Sequence, residues 1–130
     1  MKIAITTDHA GFEVLKQLRA FLTQQGHECV DFGPKEFDAA DDYPDFMFPA
    51  AKAVASGECE VGIILGGSGQ GEAMAANRIK GARCTVYYSP AMPKGAINAE
   101  GEEPKDEFEI LRLSREHNMA NMLALGARFL

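Results

Sequence analysis

The apolar run Val61-Gly62-Ile63-Ile64-Leu65 leads directly into Gly66-Gly67-Ser68-Gly69-Gln70-Gly71-Glu72. A near-continuous apolar run of this length is typical of a strand that is covered on both faces, as in a parallel sheet. Four glycines within the six residues 66–71 allow the backbone to turn sharply and to approach a ligand closely. The stretch therefore predicts a buried strand, a tight loop and a helix that begins near residue 72.

Similar units lie on both sides of this stretch. Residues 11–25 carry apolar side chains at helical spacing, and Gly26 is expected to end that helix. We predict strands at 2–6, 28–32, 61–65, 83–88 and 121–125, and helices at 11–25, 43–56, 72–79 and 105–117. Strands that alternate with helices imply right-handed crossovers and a parallel sheet with helices on both faces. The sequence thus predicts an α/β, three-layer Rossmann-like fold with a five-stranded parallel sheet, in which residues 1–130 form a single domain.

Composition and charge exclude several classes of function. The chain has 130 residues, of which 46% are apolar and 25% charged, as in globular domains. Its formal charge of −6 argues against a nucleic-acid partner, because phosphate contacts need clustered lysines and arginines.

The cysteines and the absence of long apolar segments indicate the location. Cys29, Cys59 and Cys84 form no CxxC pair and are expected to be free thiols in a reducing compartment. Neither a membrane-spanning segment nor a leader is visible, so we expect a cytoplasmic protein with no membrane partner.

Polar residues follow the predicted strands at the edge where ligands bind in this class of fold. Asp8 and His9 follow the first strand, Tyr43 the second, and Ser68 and Glu72 the third. A carboxylate at this edge can remove a carbon-bound proton beside a carbonyl, while loop N–H groups and a hydroxyl hold the oxyanion. Taken alone, the loop fits a plain tight turn as well, Ser68 also fits a helix cap, and Glu72 also fits the positive end of a helix dipole.

Several longer motifs, in order along the chain, resemble the type B ribose-5-phosphate isomerase family. Thr7-Asp8-His9-Ala10-Gly11-Phe12 resembles the segment after the family's first strand, and residues 66–72 resemble its central signature. Further matches are Asp31-Phe32-Gly33, Asp42-Tyr43-Pro44-Asp45, Ala75-Ala76-Asn77-Arg78, Gly81-Ala82-Arg83, Arg115-Glu116-His117-Asn118, Ala120-Asn121 and Leu125-Gly126-Ala127-Arg128. The resemblance covers residues 1–88 and 112–128.

The family has two branches that differ in the catalytic base. One branch carries a cysteine at the end of the third strand, and that position is Gly66 here. The other carries a glutamate in a Gly-Ser-Gly-x-Gly-Glu pattern, and that position is Glu72 here. The resemblance therefore implies an aldose–ketose isomerase that interconverts ribose 5-phosphate and ribulose 5-phosphate through an enediolate. A close variant would act on a six-carbon sugar phosphate such as allose or galactose 6-phosphate.

The resemblance also implies a role for each site residue. Glu72 shuttles the proton between C1 and C2, and His117 opens the furanose ring with Asp8 as its partner. The charged oxygen is held by Ser68 and the loop N–H groups of Gly69, Gln70 and Gly71, next to Gly67. His9 and Arg128 contact the phosphate, Tyr43 lines the sugar pocket, and Asn77 and Asn118 support it.

The implied assembly is a homodimer or dimer of dimers with sites at the interface. His117 and Arg128 are expected to arrive from the partner chain. No metal or organic cofactor is implied, because the carbonyl of the open sugar already acidifies the neighbouring carbon.

Two departures from the family leave other functions open. Residues 89–104 are predicted to be an insertion and a mobile excursion that forms a lid or an altered dimer contact. The family continues into a C-terminal helix with further phosphate-binding arginines, whereas this sequence ends at Leu130. The phosphate would then rest on Arg128, His9, backbone N–H groups or Lys94. The alternatives are a non-catalytic sugar-phosphate-binding or regulatory subunit of a hetero-oligomer, and a flavodoxin-like nucleotide module, which the position of the glycine loop disfavours.

Overall fold

A parallel sheet of five strands organises the chain. The computed structural model describes residues 1–36, 40 and 44–130. The strands are β1 (Lys2–Thr7), β2 (Glu28–Asp31), β3 (Val61–Gly66), β4 (Cys84–Tyr87) and β5 (Met122–Gly126), in the order β2-β1-β3-β5-β4. The helices are α1 (Phe12–Gln24), α2 (Pro44–Ala55), α3 (Gln70–Asn77) and α4 (Glu109–Glu116), and a 3-10 turn at His9–Gly11 precedes α1. This architecture confirms the predicted α/β fold with a five-stranded parallel sheet.

Alternating side chains of the strands fill two cores, one on each face of the sheet. On one face, Ala4 and Ile64 pack with α2 and α3. On the other face, Ile5 and Leu65 pack with Leu15 of α1. Each fully buried side chain of this size contributes roughly 1.5–3 kcal/mol to folding. Burial on both faces explains why the central strand β3 is an almost continuous apolar run.

Helix α4 lies on the same face of the sheet as α1. Its Leu111 and Ser114 line a cavity of about 260 Å³ together with Ile63 and Leu123 of the sheet. Helices therefore cover both faces, which makes the architecture three-layered. None of the described helices is both long and apolar enough to cross a membrane.

The strand register brings three loops together at the carboxyl edge of the sheet. Thr7 pairs with Leu65, and Gly66 pairs with Gly126, so the segments after β1, β3 and β5 emerge side by side. The contact continues beyond the strands, because the N–H of Ala127 donates to the Gly66 carbonyl at 2.8 Å. The predicted site residues after β1 and β3 therefore lie at one edge, as expected for parallel strands.

Residues 89–104 belong to no described helix or strand but carry hydrogen bonds of their own. The N–H of Ala91 donates to the carbonyl of Glu107 at 3.0 Å, which ties the start of the segment to the residues that follow its end. The Asn98 side chain donates to the Glu102 carboxylate at 2.8 Å and accepts the Glu102 N–H at 3.1 Å. Two statements about this segment stay predictions: that it is an insertion and that it is mobile.

Candidate active site

Glu72 is buried at the start of α3 and folds back onto the end of β3. Its side chain is 5% exposed. A Cβ atom added to Gly66 would lie 1.7 Å from Glu72 Oε1 and 2.0 Å from its carboxyl carbon. Only glycine at position 66 leaves this space open. The carboxylate thus occupies the volume that a side chain at position 66 would fill, which is where the other branch of the resembled family carries its cysteine.

Asp8 lies beside this carboxylate. It follows β1, is 7% exposed, and its Oδ1 accepts the N–H of Ala10 at 2.9 Å. Burial of the side chain is the main cause that raises the pKa of Glu72, and the hydrogen bond from the Glu72 backbone N–H partly opposes this rise. The negative charge of Asp8 and a hydrogen bond between the two carboxyls raise the pKa of Glu72 further. A buried carboxylate next to a second carboxyl is thus a base whose pKa is raised above that of a free glutamate, the direction that general-base catalysis requires.

The glycine loop supplies hydrogen-bond donors next to Glu72. Gly69 adopts a left-handed φ of 76°, which glycine tolerates best, and α3 begins directly after it. The Gln70 N–H donates to the Ser68 hydroxyl oxygen at 3.2 Å, so one of the three predicted loop donors already holds Ser68. A hydroxyl that accepts an N–H still has its own hydrogen to donate. Ser68 is exposed, and its hydroxyl can therefore donate to a ligand oxygen at the mouth of the site.

Arg128 lies over the same loop, in the same chain. A Cβ atom added to Gly67 would lie 3.1 Å from two atoms of the Arg128 guanidinium, and the Arg128 N–H donates to the Gly67 carbonyl at 3.1 Å. Within one chain Arg128 already lies beside the loop, and the expectation that it reaches the site of a partner chain stays a prediction. The reason for its place beside the loop is the strand order: β5 pairs with β3, so the segment after β5 emerges beside the glycine loop of its own chain.

His117, Asn118 and Asn77 lie at the opposite edge of the sheet. His117 closes α4, before β5 begins at Met122, and both His117 and Asn118 are exposed. The Asn118 carbonyl accepts Arg83 Nε at 2.6 Å, and the Asn77 amide bonds both backbone groups of Cys84, at 2.9 and 2.7 Å. A five-residue strand separates the two edges, which is roughly 16 Å. Within one chain these three residues are not brought to Glu72.

His9 and Tyr43 are the remaining predicted site residues. His9 lies in the 3-10 turn directly after Asp8. Tyr43 lies outside the described residues. Among the described residues, no three His, Cys, Asp or Glu side chains are grouped in a way that could hold a metal ion.

Tyr88 is a site residue that the sequence analysis missed. It follows β4, and its phenol oxygen accepts a hydrogen bond from Gln70 Nε2 of the glycine loop. It was predicted as the last residue of the strand 83–88, whereas β4 ends at Tyr87. The available signal was this place at the end of a strand, at the same edge as Asp8 and Ser68, although none of the quoted family motifs contains it.

Comparisons with known proteins identify the family of the chain. The sequence profile of the Ribose/Galactose Isomerase family matches residues 3–100. The ribose-5-phosphate isomerase B of Mycolicibacterium paratuberculosis is 39% identical over 128 residues, which are 98% of this chain and 69% of that protein. A putative sugar phosphate isomerase of Bacillus subtilis is 34% identical over 128 residues, which are 98% of this chain and 74% of that protein.

Solved structures show the same similarity. Ribose-5-phosphate isomerase B of Clostridium thermocellum superposes with a TM-score of 0.82 at 38% identity, over 100% of this chain and 75% of that one. The Mycoplasma genitalium protein, solved with bound ribulose-5-phosphate, superposes with a TM-score of 0.81 at 34% identity, over 99% of this chain and 74% of that one. Sequence and fold therefore agree, and the chain belongs to the ribose/galactose isomerase family, among the type B ribose-5-phosphate isomerases.

Proposed function

We propose that this chain is an aldose–ketose isomerase that interconverts ribose 5-phosphate and ribulose 5-phosphate. The observation that carries the proposal is the Glu72 carboxylate, buried against Gly66 and next to a loop of hydrogen-bond donors. The relatives named ribose-5-phosphate isomerase B, and the ribulose 5-phosphate bound to the Mycoplasma genitalium protein, support this choice of substrate.

The reaction balances with the groups that the site contains. Glu72 takes the proton from C2 of the open-chain aldose, and the electron pair moves to the C1 oxygen to form an enediolate. The Ser68 hydroxyl and the loop N–H groups stabilise the negative oxygen. Glu72 then returns the proton to C1 while the hydroxyl proton on O2 passes to O1, which leaves the carbonyl at C2. No redox cofactor is needed, because the oxidation of C2 and the reduction of C1 take place within one molecule.

Arg128 is the cation placed best to bind the phosphate in the same chain. Its guanidinium lies over Gly67, beside the N-terminus of α3. A helix N-terminus and an arginine both favour a phosphate group. The formal charge of −6 means that this cation must act locally against the field of the whole chain. His9, next to Asp8, is proposed as a second phosphate contact.

The site is proposed to be completed by a partner chain in a homodimer or a dimer of dimers. Two observations support this assembly. His117 and Asn118 are exposed at the edge opposite Glu72. Large apolar side chains are also exposed, namely Met74 on α3 at 66% and Met119 near His117 at 71%. Mixing inactive Glu72→Gln and His117→Ala chains under subunit exchange should restore about one quarter of the wild-type activity, because half of the dimers then contain one intact site. No recovery on mixing would argue against shared sites.

The proposal is tested by proton exchange. Ribose 5-phosphate is incubated with the chain in heavy water, and deuterium at C2 is followed by NMR. Glu72→Gln is expected to slow the exchange by roughly 10²–10⁴-fold, because it removes the general base. Glu58→Gln, an exposed glutamate between α2 and β3, is the matched control and should exchange at the wild-type rate.

Two other results of this exchange experiment would favour the alternative functions. Exchange that occurs only with allose or galactose 6-phosphate would assign the six-carbon substrate. Binding of sugar phosphates without any exchange would support the non-catalytic subunit instead. The cytoplasmic location remains a prediction and is supported by the three free cysteines.

A further inference from the structure

Tyr88 reaches from the end of β4 to the glycine loop after β3. Since β5 lies between these two strands, the ring must pass over the end of β5, which is Gly126. A Cβ atom added to Gly126 would lie 3.0 Å from Tyr88 Cδ1 and 2.8 Å from the Ser68 carbonyl oxygen. The ring of Phe129 packs edge-on against Tyr88, with centroids 5.1 Å apart. Tyr88 is thus held on two sides while its hydroxyl faces Gln70.

Gln70 connects Tyr88 to the oxyanion-binding hydroxyl. Its side-chain Nε2 donates to the Tyr88 phenol oxygen, and its backbone N–H donates to Ser68 Oγ at 3.2 Å. Gln70 is exposed and is the first residue of α3, so this contact restrains a side chain that would otherwise rotate in solvent. Two hydrogen bonds of Gln70, one from its side chain and one from its backbone, therefore link Tyr88 to Ser68.

We propose that Tyr88 is a positioning residue for the oxyanion-binding loop. It fixes Gln70, and through Gln70 it fixes the Ser68 hydroxyl at the place where the negative charge of the enediolate develops. The inference rests on the proposed function, because it assigns a role within that reaction. Tyr88 acts through the loop, so its hydroxyl matters more for the enediolate than for the bound sugar.

Three variants separate this role from a purely structural one. Tyr88→Phe keeps the ring against Gly126 and Phe129 but removes the acceptor. We expect kcat to fall by about tenfold, a fraction of the effect of losing an oxyanion donor outright, while KM stays within about twofold. Gln70→Ala keeps the backbone N–H but removes the donor to Tyr88, so kcat should fall by the same factor. Tyr87→Phe, one residue earlier on β4, is the matched control and should leave both constants unchanged.

A double-mutant cycle and an analogue complete the experiment. If Tyr88 acts through Gln70, Tyr88→Phe should have less than about a twofold effect in the Gln70→Ala chain. A hydroxamate that copies the planar enediolate and carries the same terminal phosphate should bind about tenfold more weakly to Tyr88→Phe, whereas ribose 5-phosphate binding is unchanged. Thermal unfolding of each variant shows that the comparison is made between folded proteins.

The results that would overturn the inference differ from those that would overturn the function. Additive losses in the cycle, or a raised KM with unchanged kcat, would show that Tyr88 does not act through Gln70 and the loop. An unaffected Tyr88→Phe in an active wild-type background would overturn the inference alone. A wild-type chain without proton exchange on any five- or six-carbon sugar phosphate would overturn the proposed function, and the inference with it.

Discussion

At the scale of single residues, the base depends on the absence of a side chain at Gly66. The carboxylate of Glu72 lies where a Cβ atom at that position would be, at 1.7 Å. Gly66→Ala must therefore displace the carboxylate, and a misplacement of about 1 Å is expected to lower kcat/KM by roughly 10²-fold. Steady-state kinetics measure the loss, with Gly95→Ala as control because a Cβ added to Gly95 meets no atom within 4 Å. Wild-type activity in Gly66→Ala would show that the base lies elsewhere.

The acid limb of the pH–rate profile reports on the same pair of carboxyls. Glu72 must be ionised to act as a base, and burial together with Asp8 raises its pKa, so activity is lost on acidification at a higher pH than for a free glutamate. Asp8→Asn removes a negative charge next to Glu72 and should move this limb to lower pH. The profile of kcat/KM measures the shift. A limb that moves upward, or does not move, would contradict the assignment of Asp8 as the partner of Glu72.

The sequence allowed the identity of the site residues to be predicted better than their contacts. Glu72, Ser68 and Asp8 were predicted because their motifs resemble those of the family, and the structure brings the segments after β1 and β3 together. The pairing of Gln70 with Tyr88 was not predictable, because it depends on β5 lying between β3 and β4. Strand order is a property of the whole sheet, and no local pattern encodes it. The same cause explains why Arg128 lies beside the glycine loop of its own chain.

At the scale of elements, the turn after α4 contains a strained residue. Met119 adopts a φ of 51°. Two hydrogen bonds close the turn: the Met119 N–H donates to the Arg115 carbonyl at 3.0 Å, and the Ala120 N–H donates to the Ser114 carbonyl at 2.9 Å. Among residues with a side chain, asparagine tolerates this left-handed region best. Met119→Asn should therefore raise the free energy of unfolding by about 0.5–1 kcal/mol.

Urea unfolding measures this change. Met74→Asn, at an exposed position inside α3, is the control of opposite sign, since asparagine is a poorer helix former than methionine by about 0.5 kcal/mol. If Met119→Asn lowers the stability as Met74→Asn does, the backbone strain at position 119 is not the controlling effect.

Helix boundaries show where local signals are insufficient. Helix α3 begins at Gln70 rather than at the predicted residue 72, because Gly69 completes the turn and its carbonyl already accepts the Ala73 N–H at 3.0 Å. Helix α4 begins at Glu109 rather than 105, since side chains bind the preceding N–H groups: Asp106 accepts that of Phe108 and Glu109 accepts that of Lys105, both at 2.8 Å. The predicted ranges 72–79 and 105–117 nevertheless contain most of α3 and all of α4.

At the scale of the whole molecule, the proposed catalytic groups lie at two edges of the sheet. Ring opening, proposed for His117, is needed only for the aldose, because C5 of ribulose 5-phosphate is esterified and cannot close a furanose ring. His117→Ala should therefore slow the conversion of ribose 5-phosphate by roughly 10²-fold, yet leave deuterium exchange at C1 of ribulose 5-phosphate close to wild type.

NMR in heavy water follows both reactions in the same variant. His27→Ala, at a histidine between α1 and β2, is the control and should leave both reactions intact. Equal losses in the two reactions would mean that His117 acts in proton transfer or in folding rather than in ring opening.

The close contact of Glu72 with Gly66 also bears on how the protein withstands oxidative stress. Peroxides and alkylating agents attack thiolates, whereas a carboxylate base resists both. Burial raises the pKa of the Cys84 thiol to about 12 and also raises the pKa of Cys59, which keeps these thiols in their unreactive protonated form. Turnover should therefore survive iodoacetamide or dilute hydrogen peroxide at doses that silence a cysteine-dependent isomerase.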